Sequence, residues 1–483
     1  MLVHLAWRRN LDGFDLALAA NQVAARGAPL WWLGAAGPAH EPGDYLVDVD
    51  DRTAARIAEF GIIAERWRRA LPDDAVAIAH PRIALLAGTA AGYPDFAYYA
   101  MALGRLGFDF DLVDGGAIAA GALDRYDLIV LPSGSAMWGL DNAEGVIGAD
   151  AALRDFLGKN GAAIGSGAGA FYLSSGRPGW AAIALARPIY THEFLRTGVG
   201  IVSLRLGADS IAFGCPPTLE MPYYHGPVYA ELDRSTSSAA SFDSLVMPGH
   251  LFIANPLDAG LFAREMSGHS AILRAETRRG RAVLFSPNPE MGDLVRKYIA
   301  FDHYVAHYLP VRGEAVMADT LRHYRPLDAP PWRLILNAIH SLMLRQQPPG
   351  VAPSAPVPAQ PPAPKTRLAA AADAVAGQLP LPGGNPLGSL AAMVRDDLRE
   401  RLKSVATRLE ACETALTALD PPAQAIRYLW AGCEAAALAA LAANRERSLT
   451  ERLAEIETAL VLAEAWCCLA EGERHFGRID GAG

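Results

Sequence analysis

Three short stretches of this sequence put small, polar and acidic residues where an α/β protein presents its chemistry. The first is Gly165-Ser166-Gly167-Ala168-Gly169-Ala170, which follows the apolar run Ala162-Ala163-Ile164. Small residues at a strand-to-helix junction permit a tight, strained turn whose central residue stands at a helix start. Exposed N–H groups at such a place favour an anion. The lysine and Ser/Thr of a nucleotide phosphate loop are missing, so the turn does not read as one. The second stretch is Leu131-Pro132-Ser133-Gly134-Ser135, and the third is Ser286-Pro287-Asn288-Pro289-Glu290. His225 and His269 are the histidines considered as bases, although a lone histidine is more often a hydrogen-bonded structural group. Cys215, beside Pro216-Pro217, lies far in sequence from both turns.

The elements that position these stretches are short and apolar. Arg82–Ala87, Phe108–Val113, Tyr126–Pro132 and Ala162–Gly165 read as strands, with helical periodicity at Tyr98–Leu106 and 149–159 between them. Gly280–Phe285 reads as a late strand. Such alternation predicts an α/β fold built on a doubly wound parallel sheet, of the flavodoxin-like kind. Ligands in these sheets sit beyond the carboxyl ends of the strands, which places the chemistry after Leu131 and after Gly165. Upstream, 1–80 reads as a small α/β segment with helices at 14–26 and 51–59 and strands at Pro29–Leu33 and Tyr45–Val49, and it carries no catalytic constellation.

With these residues in place, the region 81–310 resembles class I glutamine amidotransferase-like domains. The likeness is greatest to the group related to the N-terminal region of biotin-protein ligases. There a PGG loop follows the third strand, the elbow reads GxCAGA with a cysteine nucleophile, and a late strand leads into SPHPE. Tyr223-Tyr224-His225-Gly226-Pro227-Val228 resembles a further family segment. The resemblance implies a pocket touched by Ser133, Gly134, Ser166, Ala168 and His225. It places Gly167 at the nucleophile and Asn288 at the general base, and only Glu290 keeps its type. Glycine cannot attack a carbonyl and an asparagine amide does not take up a proton, whereas Cys-His acyl transfer needs a thiolate and a base in contact. The expectation is therefore a pseudoenzyme that binds a small ligand or a protein partner. The alternatives are an amidase or other hydrolase with a different nucleophile, and a membrane-peripheral adaptor. The segment 1–80 is also similar to a region beside such domains in metallocarboxypeptidase-related proteins, but their HxxE zinc motif is absent.

Composition bounds the rest. The 483 residues are 51% hydrophobic and 20% charged, enough for two or three globular domains. A net charge of −9 argues against general nucleic-acid affinity. Five cysteines without a CxxC pair imply neither a disulfide framework nor a structural zinc site. No cofactor or metal is expected. The N-terminus has no apolar run of signal-peptide length and no segment reads as spanning a bilayer, so a cytoplasmic location is the expectation. Trp332–Leu344 reads as an apolar helix that closes a domain spanning 81–345, and its few basic residues disfavour membrane contact. Residues 346–365 read as a linker, since eight of the seventeen residues at 348–364 are proline. Beyond it, 366–483 reads as a helical bundle that folds by itself and carries a protein partner or a second copy. Its apolar stripes run from Leu387 to Leu419 and through Leu453, Ile456, Leu460 and Cys467.

Overall fold

The computed structural model describes residues 1–10, 13–91, 95–174, 186–188, 198–248, 257–278, 280–292 and 330–345, a few positions between 400 and 408, and 449–476. Its centre is an eleven-stranded sheet. Five strands are parallel neighbours: β6 (Ile83–Leu86), β7 (Phe110–Val113), β8 (Leu128–Leu131), β9 (Ala162–Ser166) and β16 (Gly280–Phe285). β6, β8 and β9 are buried at every residue, as continuous apolar strands between two covering layers must be. Counted from β6, the order β7-β6-β8-β9-β16 is 2-1-3-4-5, the flavodoxin-like arrangement. Helix α3 (Asp95–Arg105) joins β6 to β7, and α6 (Ala149–Gly158) lies between β8 and β9.

The sheet is not parallel throughout, as the sequence suggested. From β16 outward it continues as antiparallel β15 (Ser270–Thr277), β14 (Thr236–Pro248), β11 (Val199–Leu206) and β12 (Thr218–Tyr224). This extension folds the chain back toward the carboxyl ends of the parallel strands.

The first eighty residues build a second sheet, all antiparallel, rather than a two-strand segment. Its order is β17-β5-β2-β3-β1-β4, with β1 at Leu2–Leu5, β2 at Leu30–Leu33, β3 at Tyr45–Asp48, β4 at Ala64–Arg66 and β5 at Ala75–Ile78. The sixth strand, β17 (Leu344–Arg345), arrives from far downstream, so the N-terminal unit does not close at residue 80. The helix before β17, Trp332–Leu342 (here α8), is buried from Trp332 to His340. It therefore offers no apolar face to a membrane. Its polar side chains tie the two sheets together. Asn337 Nδ2 donates to the carbonyls of Ile211 at 2.9 Å and Phe213 at 2.8 Å. Arg333 stacks over the Trp7 ring, 3.2 Å from the centroid, and donates to the carbonyls of Phe213 and Gly43. His340 bridges the Tyr45 hydroxyl and the Asn21 side chain. Burial depresses it to about 3, so it is neutral there. Among the described residues no helix is long and apolar enough to cross a membrane.

The last helix, α9 (Leu449–Phe476), belongs to the region read as a helical bundle. It lies against α3 and α1 (Gly13–Ala25). Leu460, Val461, Leu462, Ala465, Cys468 and Leu469 are all buried, which is more than one stripe and suits a helix enclosed on several sides. Phe476 joins the core of the N-terminal unit, and His475 Nε2 lies 2.7 Å from the carbonyl of Arg56. Bidentate pairs Arg401–Glu464 and Arg408–Glu471 brace its other side. The proline-rich linker and the positions of the stripe from Leu387 to Leu419 lie outside the described residues. The contact with α3 is close: a Cβ on Gly104 would stand 2.9 Å from the carbonyl oxygen of Ala465. Gly104→Val should therefore destabilise the protein by about 1–3 kcal/mol, the range for overpacking, read as a lower midpoint in thermal melts. An unchanged midpoint would mean that α9 does not sit on α3.

Candidate functional site

The carboxyl ends of β8, β9 and β16 converge on one cluster. After β9 the chain turns sharply into the five-residue helix α7 (Ala168–Tyr172) through Gly167, at φ 49° and ψ −113°. An L side chain is strained there, and glycine is not. Gly167 N–H donates to the Phe285 carbonyl at 3.0 Å, fixing the turn to β16. Two residues on, Gly169 passes so close to β8 that a Cβ would lie 2.1 Å from the Leu131 carbonyl oxygen. The run of small residues is thus required by the approach of α7 to the sheet.

The space in front of Gly167 is taken. A Cβ built on it would meet Ser133 Oγ at 1.8 Å and Asn288 Nδ2 at 3.5 Å. The hydroxyl of the loop after β8 stands where an elbow side chain would begin. Ser133 Oγ accepts from Asn288 Nδ2 at 3.0 Å, and the same nitrogen donates to Glu290 Oε1 at 2.9 Å. Asn288 Oδ1 accepts from the Tyr224 N–H at 3.1 Å, which fixes the amide orientation because only the oxygen can accept. The Asn288 N–H donates to the Pro222 carbonyl. Ser166 Oγ completes the network by donating to Glu290 Oε1 at 2.8 Å. Asn288, Glu290 and Ser166 are fully buried.

Glu290 is the titratable centre. Burial pushes its carboxyl up to about 8, and the charge of Asp95 at the start of α3 adds to this, against the hydrogen bonds from Asn288 and Ser166. Desolvation raises Asp95 to about 7. Among the described residues Oε2 of Glu290 has no hydrogen-bond partner, so a negative charge spread onto it would find no donor. Trp332 Nε1 donates to the Glu290 carbonyl at 2.9 Å, so α8 braces the loop from behind.

The remaining sequence-predicted residues fall into place around this cluster. Ala168 is buried at the start of α7. Gly134 forms an isolated bridge with Ala91. His225 adopts φ 49° just beyond β12, with its Nδ1 accepting from the Gly198 N–H at 3.2 Å. Burial lowers its pKa, and it makes no hydrogen bond to Asn288 or Glu290 among the described residues. His269 stands in the turn before β15, where its backbone bonds to Met266 and Phe242. The Cys215 thiol is raised to about 11 by burial, so it is not a thiolate near neutrality. Among the described residues no group of three potential ligands could hold a metal ion. Sequence reasoning missed Tyr224, Asp95 and Trp332, whose roles depend on long-range pairing.

No family profile matches the chain, and no curated protein matches it in sequence. Among solved structures it is similar to a glutamine amidotransferase from Thermotoga maritima, at 13% identity and TM-score 0.34, over 55% of this chain and 98% of that one. A second glutamine amidotransferase is 16% identical with TM-score 0.29, over 43% and 90%. A cytoplasmic protein from Salmonella typhimurium is 11% identical with TM-score 0.28, over 43% and 88%. These are likenesses of low identity and low overlap, and they assign no activity.

The buried acid has a consequence for stability. Its native pKa lies above its ordinary value of 4.5, so the native state keeps a proton that the unfolded chain releases. Stability should therefore fall as pH rises from about 4.5 to about 8 and then level off, with Asp95 acting in the same sense up to about 7. Glu290→Gln stays neutral and keeps an oxygen for Ser166 and Asn288. Its melting midpoint should gain on the parent protein as pH rises, most at pH 8 and above. A pH-independent difference would show that Glu290 ionises normally.

Proposed function

We propose that the chain is a glutamine amidotransferase-like protein that has lost the glutaminase reaction and acts by binding, as a subunit or scaffold of a larger assembly. The observation that carries this reading is the Ser133 hydroxyl in the space of the missing elbow side chain. Losing a nucleophile by point substitution leaves a hole, whereas here the neighbouring loop fills it. Two further features support the reading. Both N–H donors and the oxygen of the Asn288 amide are engaged, and an amide is no base at any working pH. Among the described residues the Glu290 carboxyl has no imidazole to orient, which is the task of the third member of such a triad. Its hydrogen bonds instead hold the loop after β16 against β9.

The full-length protein should release no ammonia from glutamine above a buffer control. Gly167→Cys alone should remain inactive and melt lower, because its Cβ contacts Ser133 Oγ. Adding Ser133→Ala should relieve the clash with Oγ but not the strain of an L residue at the positive φ of position 167, and it should create no turnover, since the base position is still an amide. Ammonia release by the parent protein that is abolished by substitution within 165–169 would sink the proposal. For the binding role, the full chain should run as an oligomer or with a protein partner in sedimentation of its native complex. A strict monomer in that experiment would count against the scaffold.

A further inference from the structure

A separate concavity lies at the amino ends of β8, β9 and β16, the opposite end of these strands from Gly167. It is lined by Asp127 just before β8, Gly161 just before β9 and Arg281, the second residue of β16. Its volume is about 360 Å³, within the range of small-molecule sites, roughly 300–1,000 Å³. Tyr126 and Phe156 give it aromatic walls, and Leu342 to Leu344 give an aliphatic one. That aliphatic wall is the junction of α8 with β17, so the concavity exists only because the chain returns to join the two sheets.

Its charges are not equivalent. Asp127 is held by Arg82, whose Nε and Nη2 each donate at 3.1 Å. Lys159 and Arg281 also line the concavity, but neither makes an ion pair or side-chain hydrogen bond among the described residues. Lys159 caps the C-terminal end of α6, where the helix dipole favours a cation, and this leaves its three donors unused. Arg281 stands opposite Glu276 across the β15–β16 pair without bonding to it. A guanidinium fork beside an ammonium suits one carboxylate or phosphate group. Asp124 also lines the concavity, and its charge opposes the binding of an anion there.

We propose that this concavity binds a small molecule carrying one anionic group on an aromatic or branched apolar body. Lys159 and Arg281 hold the anion, and Tyr126, Phe156 and Leu342 hold the body. Ligand-observed NMR on the full-length protein, with phenylacetate, phenyl phosphate and benzylamine as probes, tests this. At least one of the two anions should bind, and the stronger of them identifies the head group, while the matched cation benzylamine should not. Replacing Lys159 and Arg281 together by glutamine should weaken the anion by tenfold or more. The melting midpoint should fall only slightly, because the one contribution lost to the fold is the exposed charge of Lys159 at the end of α6. Asp124→Asn should tighten binding by removing a like charge. Equal binding of benzylamine, no binding of either anion, or an unchanged affinity in the double variant would each overturn the proposal.

Discussion

The buried amide of Asn288 holds the end of the parallel sheet together. Its two N–H groups and its oxygen reach three separate pieces of chain: the loop after β8 through Ser133, its own loop through Glu290, and the antiparallel extension through Tyr224. A buried polar group is tolerated only when its hydrogen bonds are made, and a fully satisfied one specifies a single arrangement. A histidine has two ring nitrogens and could not donate twice from one atom while accepting from a backbone N–H. The network is therefore matched to an amide, and Ser133 sits over Gly167 because Asn288 holds it there.

Helix α8 serves the two sheets in the same way. Among the described residues no carboxylate forms an ion pair with the buried Arg333; the Trp7 face and two backbone carbonyls receive it. Burial lowers it to about 10, so it keeps its charge near neutrality. Burying such a group is costly unless every contact is made, which favours one relative placement of the N-terminal unit and the central sheet. The same helix touches the Glu290 loop through Trp332. The small sheet and the cluster around Asn288 are thereby parts of one mechanical body.

Much of the parallel half was legible in the sequence. The runs at 83–86, 128–131 and 162–164 are short and wholly apolar, with glycine or proline within two residues of each. The turn at Gly167 was equally plain, because only small residues fit it. The antiparallel half was obscure for a physical reason. β14 is rich in serine and alanine, and its register shifts at Ala240, which breaks the alternation that marks a strand. Tyr224 meets Asn288 only through that extension, so its part in the site had no local signature. The closing of the space at Gly167 was invisible for a similar reason, since it depends on where one serine rotamer points. The last helix misled through its composition. Alanine and cysteine fill enclosed and exposed faces alike, so Leu453, Ile456, Leu460 and Cys467 suggested a single stripe where the fold encloses several faces.

The place of that helix also sets an order of events during synthesis. β17 supplies the sixth strand of a sheet whose other five lie within the first eighty residues, and Phe476 fills a core lined by Val3, Leu5 and Tyr45. A ribosome making this chain vectorially exports the N-terminal strands long before either arrives. Until the last turn of α9 leaves the exit tunnel, the outer faces of α1 and α3 are apolar surfaces without a cover. The N-terminal core thus stays incomplete until residues several hundred positions downstream of its first strand have been made.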